Sequence, residues 1–244
     1  PPGSPAMTDE PPPKRYKFVN SITVLAGSEE QAFQLDVDEA CAKSTFFKSA
    51  CSEKWKEGKD KVIKVPSIAP ATMENYIKWV YKDKLPDEAL PTPGSTLIDE
   101  DANFAYEEHV ELYIAAQFLG DDTLQILTID FLRQTHPCGG EDSSTQLVHT
   151  VWESTSTACG LQRLLVDTLL TYARPRLVHE WLGAQPFNFV HAVGVRTIME
   201  LGKDKETFDP RENDKCYYHD HKEGEKCESS SAKKKKARGW GTCA

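Results

Sequence analysis

Residues 35–50 read LDVDEACAKSTFFKSA, and within them the periodicity of the chain changes. Upstream, Ile22 and Val24 alternate with Ser21 and Thr23 at the period of two of a half-buried strand, and Phe33 and Leu35 repeat on one side of Gln34. Gly27 and Ser28 supply a turn between these runs, so 19–36 is predicted to be a hairpin. From Asp38 onward the period lengthens. Asp38 is placed to cap a short helix through Lys43, and Ser44 or Thr45 to cap another running to about Ser52, with Phe46, Phe47 and Ala50 on one face. A hairpin that runs straight into short helices points to an α+β domain.

Downstream, Val62, Ile63 and Val65 form a third strand that Pro66 ends, and Pro70 opens a helix over 70–82 with Met73, Ile77, Trp79, Val80 and Tyr81 near one stripe. The acidic, Pro-rich run PDEALPTPGSTLIDEDAN at 86–103 reads as an exposed excursion. A helical pair follows, 109–119 with Val110, Ile114 and Phe118 at i, i+4, i+8, and 123–135 after Gly120 and an Asp121/Asp122 cap. Pro137, Cys138, Gly139 and Gly140 mark a boundary. Beyond it lie helices at about 144–154, 159–173 and 187–200, the middle one striped by Leu161, Leu165, Leu169 and Tyr172. Some 60 residues bury too little surface to stand alone, so these helices are expected to dock on the earlier ones. The predicted organisation is a disordered lead (1–17), an α+β domain (18–137), a helical region (141–202) and a flexible charged tail (203–244).

The 244 residues are 39% hydrophobic and 27% charged, a globular composition. No run approaches the roughly 18–20 apolar residues of a membrane span, and PPGSPAMTDE lacks the layout of a secretion signal, so a nuclear or cytoplasmic location is expected. Seven cysteines at irregular spacing (41, 51, 138, 159, 216, 227, 243) argue for thiols or metal ligands over a disulfide framework. The net charge is −9, and because Lys233–Arg238 carries five positive charges the remainder carries −14. An acidic body repels phosphate backbones, which argues against nucleic-acid binding by the folded part. No glycine-rich phosphate loop, G-x-S-x-G or H-E-x-x-H is present, and a non-enzymatic protein is expected.

Taken together, TVLAG (23–27), LDVDEACAKSTFFKSA (35–50), WKEG (55–58), VIKVPS (62–67), NYIKWVYKDKL (75–85) and LYIAAQFLGDDTLQ (112–125) resemble the BTB/POZ domain, in the flavour common among filamentous-fungal proteins. The matching pattern positions are Ser44, Phe46, Phe47, Trp79, Tyr81, Tyr113 and Ala116. Asp36 stands where many members have His, and Gln117 where many have Asp. The resemblance covers roughly 19–136 and implies a small sheet capped by helices, with Phe46, Phe47, Ile77, Trp79, Tyr81, Tyr113 and Phe118 in its core. It further implies a protein-interaction module working by self-association or partner recruitment. An N-terminal exchanged strand is not expected, because PPPKR precedes the first strand and proline cannot donate to a ladder; a homodimer through the helices and a monomer both remain open.

Three further stretches carry candidate sites. Trp55, Lys56 and Glu57 look like the hydrophobic-x-Glu motif with which some BTB domains engage a cullin scaffold, which would make the chain a ubiquitin-ligase substrate adaptor; alternatively Trp55 folds onto the domain and Glu57 is solvated. Cys216, His219, His221 and Cys227, spaced C-x2-H-x-H-x5-C, offer two thiolates and two imidazoles suited to one tetrahedral structural zinc, against the alternative of a polar tail. Lys233, Lys234, Lys235, Lys236 and Arg238 resemble a nuclear-import signal or form a solvated basic end. With the Cys/His cluster, they motivate a third reading, a chromatin- or transcription-associated factor.

Overall fold

The computed structural model describes residues 20–52, 56–86, 100–134, 144–172, 181–200, 210–211, 213–221 and 227. The lead, Trp55, most of the 86–103 excursion, the 137–140 boundary and the lysine run lie outside these residues. The architecture is α+β, a three-stranded mixed sheet packed with helices.

Strands β1 (Ser21–Ala26) and β2 (Gln31–Asp36) form the antiparallel hairpin, with Ile22 opposite Leu35 and Val24 opposite Phe33. Strand β3 (Val62–Val65) pairs parallel with the other edge of β1, giving the order β2-β1-β3. Alternation puts Ile22, Val24, Ala26, Leu35, Ile63 and Val65 on the buried side. The parallel crossover carries α1 (Val37–Lys43), α2 (Thr45–Ala50) and α3 (Lys56–Asp60).

The caps explain these junctions. Asp36, the last residue of β2, caps α1: its Oδ1 accepts from the backbone N–H of Asp38 at 2.9 Å and of Glu39 at 3.2 Å. The expected cap, Asp38, instead lies inside the first turn, where its charge favours the helix dipole. Ser44 accepts from Phe47 N–H and donates to the Leu119 carbonyl at 2.5 Å, fixing α2 against the end of the helix that closes at Leu119. Helix α4 (Pro70–Lys82) has its proline in the first turn, as predicted. Helix α5 (Glu100–Leu119) begins nine residues before the predicted start, and α6 (Asp122–Gln134) returns against it. The C-terminal helices are α7 (Ser144–Ser154), α8 (Gly160–Tyr172) and α9 (Phe187–Glu200).

Two apolar cores share α5. The first joins the sheet to α1, α2, α4 and α5 through Phe47, Tyr76, Trp79, Leu112, Ala116 and Leu119. The second joins α5 and α6 to α7–α9 through Val110, Tyr113, Ile129, Val151, Leu161 and Phe189. Phe47, Trp79 and Tyr113 are buried as expected, whereas Phe46 and Ile77 are half-buried at the edge of the first core. Phe118 and Tyr81 depart from the expectation, being 48% and 40% exposed. Both sit seven residues after exposed glutamates, Glu111 and Glu74, and so lie on the solvent line of their helices. Phe118 retains a ring contact with Phe46, centroids 5.2 Å apart, and the Tyr81 hydroxyl accepts from Asp36 N–H at 2.8 Å. No helix of the described residues is long and apolar enough to cross a membrane.

Candidate metal centre

Residues 210–211 and 213–221, read from the sequence as part of a charged tail, lie across α5, α6 and α8. The segment has little regular structure of its own, one 3-10 turn (Lys215–Tyr217) capped by Asp214, so partners on the helices satisfy its polar groups. Arg133 of α6 donates from Nη1 to the carbonyls of Pro210 (2.7 Å) and Asn213 (3.2 Å). Arg163 of α8 donates to the Tyr217 carbonyl and to Asp220 Oδ1. The other Asp220 oxygen accepts from Gly160 N–H at 2.9 Å and from the Tyr113 hydroxyl at 2.8 Å. Tyr218, 1% exposed, enters the second core and donates its hydroxyl to Asp167, which also binds Arg196.

This anchoring brings Cys216, His219, His221 and Cys227 together. One donor atom from each lies within 4.8 Å of the other three. Cys216 Sγ is 3.8 Å from His221 Nε2, and Cys227 Sγ is 3.1 Å from His219 Nδ1. In a tetrahedral zinc site with Zn–S of 2.3 Å and Zn–N of 2.0–2.1 Å, neighbouring donors stand roughly 3.3–3.8 Å apart, so these spacings are close to those a metal would impose. The cluster could hold a metal ion. Its groups are half-buried or, for His219, buried.

Electrostatics favour a cation here. Burial, with Cys227 adjacent, pushes the Cys216 thiol up to about 11. Burial works against protonation of His219, but Asp130 and Cys227 outweigh it and the imidazole titrates above its usual value. Burial alone would raise Asp130; its bonds to His219 and Lys215 hold it below the ordinary carboxylate range. A divalent ion would take the place of the thiol protons and neutralise the crowded sulfurs.

Two polar arrangements had no local signal in the sequence. Asp130 meets His219 from 89 residues away, and Asp220 closes a network with Tyr113, Gln125 and Arg163. A third was half legible: Asp121, expected in a cap, does bond Leu124 N–H at 2.9 Å, but it also accepts from Trp79 Nε1 at 2.9 Å. Desolvation raises the Asp121 carboxyl above its usual range despite these donors.

The remaining candidate site is partly described. Lys56 and Glu57 open α3, with Glu57 exposed. A groove of about 550 Å³ is lined by Phe46, Ala50, Val62 and Ile63 together with Glu57, Asp60 and Lys64. Neither the models of known protein families nor the curated proteins give a match to this chain.

Proposed function

We propose that the chain is a non-enzymatic protein-interaction module of the BTB/POZ type, and that one structural zinc holds its C-terminal segment. The observation that supports the first part is the order of elements in 20–134. A hairpin, short helices, a third strand parallel to the first, one helix and a helical pair follow in the order through which the sequence resembles that family. The donor set supports the second part, since two thiolates and two imidazoles saturate a tetrahedral ion and leave no open position for catalysis. The softness of the thiolates favours zinc over calcium or magnesium.

A substrate-adaptor role for a cullin ligase is the second reading, favoured by the exposed Glu57 beside an apolar groove. A partner's apolar side chain in the groove with a basic group at Glu57 and Asp60 would satisfy both features. The test uses the full-length chain in sedimentation velocity and in a pull-down with a purified cullin N-terminal region, comparing the parent with Trp55→Ala and Glu57→Lys. A monomer that retains no cullin would remove the module reading in this form; a dimer without cullin would remove only the adaptor. Zinc is measured by elemental analysis after purification without chelators, beside Cys216→Ser/Cys227→Ser. One zinc per parent chain and none in the double variant is the expected result.

A further inference from the structure

Behind the four donors stands a carboxylate from a different part of the chain. Asp130 lies on α6, and its Oδ1 is 3.3 Å from His219 Nε2. The His219 side chain is fully buried and that of Asp130 is 16% exposed, so water competes little for this contact. The other ring nitrogen, Nδ1, is 3.1 Å from Cys227 Sγ. A neutral imidazole has one N–H and one lone pair, and a metal-bound ring must place its N–H on an acceptor. At His219 the acceptor is at Nε2 and the donor cluster at Nδ1, so both ends are assigned.

We infer that Asp130 is the positioning carboxylate of the metal centre: it holds the proton on His219 Nε2, fixes His219 as an Nδ1 ligand, and thereby ties the metal to α6. The inference rests on the zinc reading above. His221 differs, because its Nε2 faces Cys216 at 3.8 Å. The two imidazoles therefore bind through different nitrogens, a distinction that spectroscopy can read.

The charges suit this role. Two thiolates balance a divalent ion, which leaves the Asp130 carboxylate to be neutralised. Lys215 Nζ lies 3.3 Å from Asp130 Oδ2 and Arg133 Nε 3.9 Å from its Oδ1, so cations from two sides offset this carboxylate. The placement also changes what the metal does. All four donors fall between 216 and 227, and alone they would make a local knuckle. Through Asp130 the knuckle is fastened to α6, while the next residue, Asp220, is seated on Gly160 N–H and Tyr113 of α8 and α5. Consecutive residues thus grip different helices, and the ion sits beside the grip.

The experiment measures zinc affinity of the full-length protein by competition with a chromophoric chelator, for the parent, Asp130→Asn, Asp130→Ala and Lys215→Ala. Asp130→Ala is expected to weaken binding about 10- to 100-fold, the range for losing an outer-shell partner. Asp130→Asn, whose amide oxygen still accepts from Nε2–H, should fall nearer the parent, and Lys215→Ala should match it. Long-range proton–nitrogen correlation spectra of histidine-labelled, zinc-loaded parent should show the proton on Nε2 of His219 and on Nδ1 of His221. If Asp130→Ala fails to fold, the tautomer and Asp130→Asn carry the decision. One zinc per parent chain with equal affinity in Asp130→Ala, or His219 bound through Nε2, overturns the inference and leaves the zinc reading standing. A parent that binds no zinc overturns both.

Discussion

Replacing Gly160 by alanine sets helix propensity and packing of the C-terminal segment against each other. Gly160 opens α8, where alanine is the better helix former by up to about 1 kcal/mol. A Cβ at this position, however, would stand 1.8 Å from the Tyr218 carbonyl oxygen and 2.9 Å from its carbon. Ordinary contact begins near 3.4 Å, so the backbone at Tyr218 must retreat by about 1.6 Å. That movement strains the Tyr218 hydroxyl bond to Asp167 at 2.8 Å and the Asp220 bond to Gly160 N–H at 2.9 Å. Overpacking of this kind costs about 1–3 kcal/mol. Because the atom met is backbone and the retreat is large, the cost belongs in the upper part of that range, about 2–3 kcal/mol, so after subtraction of a propensity gain of about 1 kcal/mol Gly160→Ala should lose about 1–2 kcal/mol, a fall of roughly 2–8 °C in the thermal midpoint for a chain of this size. Gly194→Ala is the internal control: it lies in α9, where an added Cβ meets nothing within 4 Å, and it should gain about 0.5–1 kcal/mol. Both are read by thermal melting at matched zinc content. A Gly160→Ala midpoint at or above the parent's would show that residues 217–220 do not pack on α8.

Phe47→Ala, which empties a fully buried position beside Tyr76, should cost about 3–5 kcal/mol by chemical denaturation, and an unchanged transition would refute the α2 packing. Asp121 has a raised folded pKa, so the native state binds the extra proton and this carboxyl's contribution to stability falls as pH rises from about 3.8 through the folded value. The stability difference between Asp121→Asn and the parent should therefore shift in favour of the variant over that window, read from denaturation midpoints at stepped pH; a flat difference would contradict the assignment. Chelation of a protein loaded at 100-fold above the zinc dissociation constant should remove about 2.7 kcal/mol, and an equal midpoint with and without chelator would show that the ion does not act on the fold.

The legible parts of the fold are those written in neighbouring residues. The Ile22/Val24 alternation, the Ser44 cap, Pro70 in a first turn and the breaks around α7–α9 each depend on residues within a few positions of one another. Legibility ended where distant residues decide. The sequence points to Asp38 as the cap, and it does not say that β2 meets α1 with no linker, which is what puts Asp36 at the N-cap. The four metal-ligand candidates could be read from spacing alone, but Asp130 could not, since only the packing of α6 against 210–221 brings it to His219. The same holds for 213–221: its polar composition argues for solvation, and its placement comes from Arg133, Arg163 and Asp167 on helices already formed.

The Phe118 departure shows how the two halves are joined. An i, i+4, i+8 stripe assumes one buried face, as on a helix lying at the surface of a single core. Helix α5 instead presents Leu112, Ala115, Ala116 and Leu119 to the sheet side and Tyr106, Val110 and Tyr113 to α6–α9, so its apolar residues spread around the axis, and among its described side chains Glu111 and Phe118 are the exposed ones. A helix buried on two sides cannot shift toward one core without opening the other, because close-packed interiors tolerate little displacement. Tyr113 makes the link chemical as well as steric: its ring lies in the second core and its hydroxyl donates to Asp220, between His219 and His221.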